Sequence, residues 1–277
     1  MKSVSKSEQM TLKIQTSEET SIAELGLFFL GSYVIALLLT TAVHELGHAL
    51  ALSTIPINFR LILNPFSLSM TMPLSSIPTE YFAFAVSAGP IVELLFGTLV
   101  IALIWRWRSQ KLVPLLMAAP VSYLKNAGYF LVGVAIPDGD TALLIALGVP
   151  SLVIQFLGIL MLVFGVVLLV LLFPLLGLSR DDSFRKIVIV LFLGLVLHGF
   201  GMIIFALLFS PLELYIGVAN VVSMIVTVLI LVIVFVRGGH FIERIAHSEV
   251  ATLKRTNVLS ITGLAIIFIV AELIFFN

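Results

Sequence analysis

Cysteine is absent from the 277 residues, which excludes disulfides, thiolate nucleophiles and thiolate metal ligands. Any metal must therefore be held by His, Asp or Glu. Charge is scarce as well: Asp, Glu, Lys and Arg make up 11% of the chain, where a soluble domain carries about 25%. The 15 basic and 15 acidic residues cancel, so there is no basic excess with which to hold nucleic acid. Apolar residues fill the gap, at 60%. A soluble fold of this length could not hide that much apolar surface in one core. The composition implies a helical protein of the lipid bilayer, since helices satisfy their own backbone polar groups in hydrocarbon. The opening residues 1–23 are rich in Ser, Thr, Glu and Lys and do not have the pattern of a cleavable signal peptide. They are expected to form a polar tail.

Apolar runs at about 25–51, 81–104, 112–136, 149–177, 187–209, 212–236 and 258–276 are each about long enough to cross a ~30 Å hydrocarbon layer. The expected fold class is thus an all-α polytopic membrane protein of about seven transmembrane helices. The positive charges support that parsing. Seven spans place Lys2, Lys6, Lys13, Arg106, Arg108, Lys111, Arg180, Arg185, Lys186, Arg237, Arg244, Lys254 and Arg255 on one side, leaving Arg60 on the other and Lys125 within a span. Splitting 141–177 into two crossings would change the division to six against eight. The positive-inside rule favours the single crossing, with a cytoplasmic N-terminus and an extracytoplasmic C-terminus.

Residues 54–80 have a different pattern. Ile57, Phe59, Leu61 and Leu63 alternate with other residues before Asn64-Pro65. After that turn signal Phe66, Leu68, Met70 and Met72 alternate with Ser67, Ser69 and Thr71. Period-two alternation on both sides of a turn predicts a membrane-associated β-hairpin at about 57–72. Phe241, Ile242, Ile245, Ala246, Val250 and Leu253 form one stripe, predicting an interfacial amphipathic helix at about 240–254. The expected organisation is a tail (1–23), a three-helix core carrying the hairpin (24–148) and an accessory four-helix bundle (149–277).

Chemistry enters at the end of the first span, in His44-Glu45-Leu46-Gly47-His48. On a helix, His44 and His48 project from one face about 6 Å apart along the axis. Two imidazoles so placed can bind one Zn²⁺. Glu45, beside the first ligand, can serve as general base toward water. Such residues are costly to bury in an apolar span and are usually functional there. Hydrolytic zinc takes a third protein ligand and keeps one position open. Asp138 and Asp140 follow the third span, on the side where the first span ends. The same Pro-Asp-Gly sequence could also be only a turn at a helix end. Glu80 and Glu93 are weaker alternatives, and Glu93 could instead pair with Lys125 within the membrane. His198 sits mid-span among glycines, which favours a helix–helix hydrogen bond. His240 and His247 fall in a polar stretch.

At these residues the chain resembles the site-2 protease family of intramembrane zinc metalloproteases. The resemblance rests on His44-Glu45-Leu46-Gly47-His48, on Ser87-Ala88-Gly89-Pro90 after the β-like segment, and on Asp138-Gly139 after the third span. It covers roughly residues 25–145. It implies a three-helix core that uses zinc to hydrolyse peptide bonds of transmembrane substrates. His44, His48 and Asp138 would be the ligands, with Asp140 the alternative, and Glu45 the base. Two features depart from the family. The family often has an Asn eight residues before the Asp, but Phe130 stands there and the nearest Asn is Asn126. Asp138-Gly139-Asp140 also replaces the usual Asp-Gly-Gly. The oxyanion-stabilising or substrate-contacting group is therefore open, with Asn126 or Lys125 as candidates beside packing or snorkelling roles. The hairpin edges could hold an unwound substrate segment by strand addition.

Two rival readings follow from the same residues. The first is a non-catalytic metal-binding membrane protein, a transporter or a degenerate protease scaffold; it gives no reason for a base at Glu45. The second is a metallopeptidase whose third ligand is Glu. Glu243 and Glu272 lack the surrounding motif that it would need.

Overall fold

In the computed structural model, the described residues are 21–55, 60–64, 67–71, 78–107, 109–135, 139–178, 184–193 and 253–275, with single positions at 226, 229, 230 and 233. Helix α1 (Ile22–Ser53) opens with a capping box: the Glu24 amide donates to Ser21 Oγ, and the Ser21 amide donates to Glu24 Oε2. This satisfies free N–H groups of the first turn. At 32 residues, α1 is about 48 Å long, more than a hydrocarbon layer requires. It ends where Ser53 and Thr54 turn their hydroxyls back onto the carbonyls of Leu50 and Ala51.

Strands β1 (Arg60–Asn64) and β2 (Ser67–Thr71) pair antiparallel, with Arg60 opposite Thr71 and Asn64 opposite Ser67. β2 lies beside α1. Helix α2 (Thr79–Ile104) then runs back antiparallel to α1. Pro90 lies inside it and can give no N–H to the carbonyl of Val86.

The run predicted over 112–136 is helical as far as Val132 but lacks one backbone hydrogen bond near its start. A 3₁₀ turn (Gln110–Leu112) leads into α3 (Val113–Leu116), Met117 keeps helical dihedrals (φ −64°, ψ −20°), and α4 (Ala118–Val132) follows. Pro120 is the physical reason, because it has no N–H for the Leu116 carbonyl. Helix α5 (Gly139–Ala146) is short, and α6 (Ser151–Leu172) packs lengthwise on α4. Helix α7 (Phe184–Leu191) and helix α8 (Arg255–Phe275) both pack on α1.

Among the described residues, three helical segments are long and apolar enough to cross a membrane, Ile22–Ser53, Tyr81–Leu103 and Ser151–Leu172, with Arg255–Phe268 a shorter apolar stretch. Most of the predicted spans at 187–209 and 212–236, nearly all of the amphipathic helix at 240–254, and His198, His240, His247 and Glu243 lie outside the described residues.

Helix α8 runs parallel to α1. Arg255 pairs with Glu24 at 3.5 Å, and farther along both helices Thr262 Oγ1 donates to the Leu27 carbonyl at 3.5 Å. At the same end, Asn257 Nδ2 donates to Gln110 Oε1 at 3.0 Å. The starts of α1, α3 and α8 therefore share one end of the bundle. The apolar core lies toward this end: Phe28, Phe29, Leu116, Met117, Leu172, Phe173, Val190 and Leu191 are all buried in one cluster. The polar residues of the HExxH motif lie at the opposite end of α1.

Candidate metal centre

The i, i+4 spacing turns both histidines of α1 inward, where they are buried, while Leu46 and Leu50 face outward, each at least half exposed. Two close approaches hold the rings against α2. Gly47 meets the Ala88–Gly89 backbone, where a Cβ would come within 2.6 Å of the Ala88 carbonyl oxygen. Gly89 faces the His48 ring, where a Cβ would lie 2.7 Å from both Cδ2 and Cε1. Any side chain at Gly89 would thus occupy the space that His48 fills.

The ring nitrogens are fixed by their partners. His48 Nδ1 donates to the Ala85 carbonyl at 2.8 Å, and a carbonyl can only accept. His44 Nδ1 donates to Glu93 Oε2 at 2.9 Å. With both Nδ1 atoms spent as donors, the two Nε2 atoms face inward. They lie 3.1 Å apart, and Asp140 Oδ2 sits 3.1 Å from the first and 3.3 Å from the second.

Asp140 reaches them from the first turn of α5. Gly139 has φ +79°, a left-handed conformation that glycine adopts without a Cβ penalty, and the helix begins there. Thr141 Oγ1 donates to the Tyr129 carbonyl at 3.0 Å, pinning α5 to the end of α4. Partial burial works against the Asp140 carboxylate. With no cation bound, the two imidazoles can take up a proton on Nε2, and that charge beside it holds the Asp140 carboxyl well below the ordinary range, so it stands as an anion.

The set has the character of a cation site. When Nδ1 carries the proton of a neutral imidazole, Nε2 is a lone pair. Two lone pairs and a carboxylate oxygen then converge, and a single proton can bridge only one pair of them. Four ligands at 2.0–2.1 Å in a tetrahedron lie about 3.3–3.4 Å apart. The observed 3.1, 3.1 and 3.3 Å triangle is close to one face of such a tetrahedron. His44, His48 and Asp140 could therefore hold a metal ion.

The other sequence candidates fall around this triangle. Asp138 lies outside the described residues, as do the side chains of Glu80 and Glu272. Glu45 is half-buried and lies in the electrostatic field of His44, His48, Asp140 and Lys125. Glu93 is fully buried behind His44, on the Nδ1 side, and Lys125 Nζ pairs with its Oε1 at 3.0 Å. Lys125 also donates to Thr41 Oγ1 at 3.4 Å. Asn126 Nδ2 donates to Glu93 Oε2 at 3.0 Å and to the Ser122 carbonyl at 2.9 Å. Both amide protons are used there, so none remains for an oxyanion.

The sequence reading missed the contact of Glu93 with His44 Nδ1. The available signal was an acidic residue about three turns inside an apolar span, a costly position. No protein-family model, curated protein or solved structure matches the chain.

Proposed function

We propose that this chain is a zinc-dependent intramembrane endopeptidase that hydrolyses peptide bonds of transmembrane substrates. The observation that carries the reading is the convergence of His44 Nε2, His48 Nε2 and Asp140 Oδ2 beside Glu45. These three residues would hold the ion. Zinc bound there supplies a Lewis acid that polarises a carbonyl and lowers the pKa of water toward about 7. Glu45 takes a proton from water and returns it to the leaving amine. The buried setting of the histidines keeps bulk water from competing. The exposed Leu46 and Leu50 give a membrane-embedded substrate an apolar approach on the same helix as Glu45. A structural role alone would not require a base next to the first ligand.

The protein purified in detergent is expected to carry one zinc per chain, measured by elemental analysis, and His44→Ala/His48→Ala to carry none. Asp140→Ala should lose most of the metal and all cleavage of a model membrane substrate, while Asp138→Ala retains the metal. The reverse pattern would move the third ligand to Asp138. A wild-type protein free of zinc and inert after zinc addition would overturn the assignment.

The same reading includes an orientation, with seven crossings and a cytoplasmic N-terminus. It is supported by Glu24, Arg255 and Gln110 sharing one end of the bundle, the end to which the charge count assigns Arg106, Lys111 and Lys254. The parallel run of α1 and α8 is consistent with an odd number of crossings. The metal residues then sit near the extracytoplasmic face, whereas the resembled family more often has them nearer the cytosol. The cysteine-free chain makes labelling clean. In intact cells, Cys at Ser109 or Ser183 should be shielded from an impermeant thiol reagent and Cys at Ser75 should react. The opposite pattern would invert the orientation.

A further inference from the structure

The membrane level of α2 and α4 contains an ion pair that the proposed chemistry does not use. Glu93 is 0% exposed. Its Oε1 meets Lys125 Nζ at 3.0 Å, and its Oε2 accepts from both His44 Nδ1 at 2.9 Å and Asn126 Nδ2 at 3.0 Å. Burying two charges costs several kcal/mol each after relaxation, and an apolar pair would pack the same volume without that cost. The ion pair therefore needs a reason beyond holding two helices together.

Geometry supplies one. Glu93 binds the ring nitrogen on the far side of His44 from the Nε2–Nε2–Oδ2 triangle, so it cannot itself be a ligand. It can determine which nitrogen is free. An imidazole with Nδ1 facing a carboxylate keeps its proton there, presents Nε2 as a lone pair and is held in one ring orientation. His48 has only the neutral Ala85 carbonyl in the equivalent place. The two ligands are thus supported unequally, and the carboxylate backs only His44.

We infer that Glu93 is a positioning residue that fixes the tautomer and orientation of His44 for metal binding, with Lys125 and Asn126 holding the carboxylate in place. This rests on the metal reading above and deepens it. Lys125 grips one oxygen while Asn126 shares the other with His44, so the carboxylate cannot swing away from the ring. The contacts tie α1, α2 and α4 into one polar joint in an otherwise apolar bundle.

The test measures metal affinity without substrate. The full chain in detergent is stripped with chelator and titrated with Co²⁺, read by its visible d–d absorption, and then competed with Zn²⁺. Charge-neutral double variants avoid leaving a lone buried charge. Glu93→Leu/Lys125→Met should bind Co²⁺ about 10–100-fold more weakly, the usual loss when an outer partner of a ligand is removed. Helical circular dichroism and the melting transition should be retained, as apolar replacement of a buried pair is often neutral. Glu93→Gln/Lys125→Met keeps an acceptor oxygen for Nδ1 and should fall between it and the wild type. That partial rescue is the outcome a purely structural role would not give.

If Glu93→Leu/Lys125→Met binds Co²⁺ within about threefold of wild type, the positioning role is overturned and the metal site stands. A variant that loses its helical signal leaves the decision to Glu93→Gln/Lys125→Met, where affinity equal to wild type would overturn the requirement for a carboxylate. Wild type that takes up neither ion overturns the metal site and this inference together.

Discussion

Glu45→Gln should leave zinc bound and reduce hydrolysis of a membrane substrate by about 10²–10⁴-fold, the range that a positioned general base contributes. The expectation follows from where Glu45 stands. It is not one of the three converging donors, so its replacement removes no ligand. Gln has the same size and keeps a hydrogen-bonding oxygen, but it cannot carry a proton from water to a leaving amine. Metal content should therefore match wild type while turnover collapses. Two results would count against the mechanism. Substantial cleavage by the variant would show that Glu45 is not the base. Loss of zinc would show that Glu45 supports the ion, which the triangle does not anticipate. A metal-holding scaffold would differ from both, because the wild type would already be inert and the substitution would change nothing.

The chemistry was most legible where a local period fixes geometry. His44 and His48 lie on one face of a helix for the same reason that any i, i+4 pair does, and no tertiary contact is needed to read that. Ser87-Ala88-Gly89-Pro90 could be marked as a motif, but its physical role could not be seen: Gly89 has no side chain because the His48 ring fills that space. Asp138 and Asp140 illustrate the limit. They flank one glycine, and the sequence cannot say that the chain directs Asp140 toward the histidines. That depends on the left-handed turn at Gly139 and on Thr141 anchoring α5 to α4.

From the sequence, Glu93 is a candidate ligand or a partner of Lys125. It pairs with Lys125, and its second contact, to His44 Nδ1, spans 49 positions. No periodicity carries information across that distance. The hydrogen bond missing beside Met117 is legible in the sequence, since Pro120 stands there. Hydropathy reports where a chain can sit in lipid, whereas the proline N–H deficit decides which backbone bonds its helix lacks.

The two ends of α1 have separate tasks. Its first half is buried among apolar side chains of α3, α6, α7 and α8, where dispersion and close packing dominate. Its last third carries the polar joint to α2, α4 and α5. A substitution in the first region should lower stability and leave metal affinity alone; one in the second should do the reverse.

Gly89→Ala provides the sharpest test of that division, and it should abolish metal binding. The added Cβ would overlap the His48 ring, lying 2.7 Å from two of its carbons. The ring must leave, and with it go both the Nδ1 hydrogen bond to Ala85 and the placement of Nε2 beside His44 and Asp140. Removing one of three ligands from a tetrahedral site leaves too few to retain zinc against a chelator, so metal content should fall below about a tenth of wild type and cleavage with it. Gly158→Ala is the matched control. Its Cβ would meet Leu131 Cγ at 2.9 Å and Phe130 Cβ at 3.1 Å, comparable crowding between α6 and α4 with no site residue involved. Overpacking of this kind costs typically about 1–3 kcal/mol, so Gly158→Ala should lower the melting temperature and keep its zinc. Elemental analysis and a thermal melt on both proteins decide the matter. Full zinc occupancy in Gly89→Ala would mean that His48 does not bind where the structure places it.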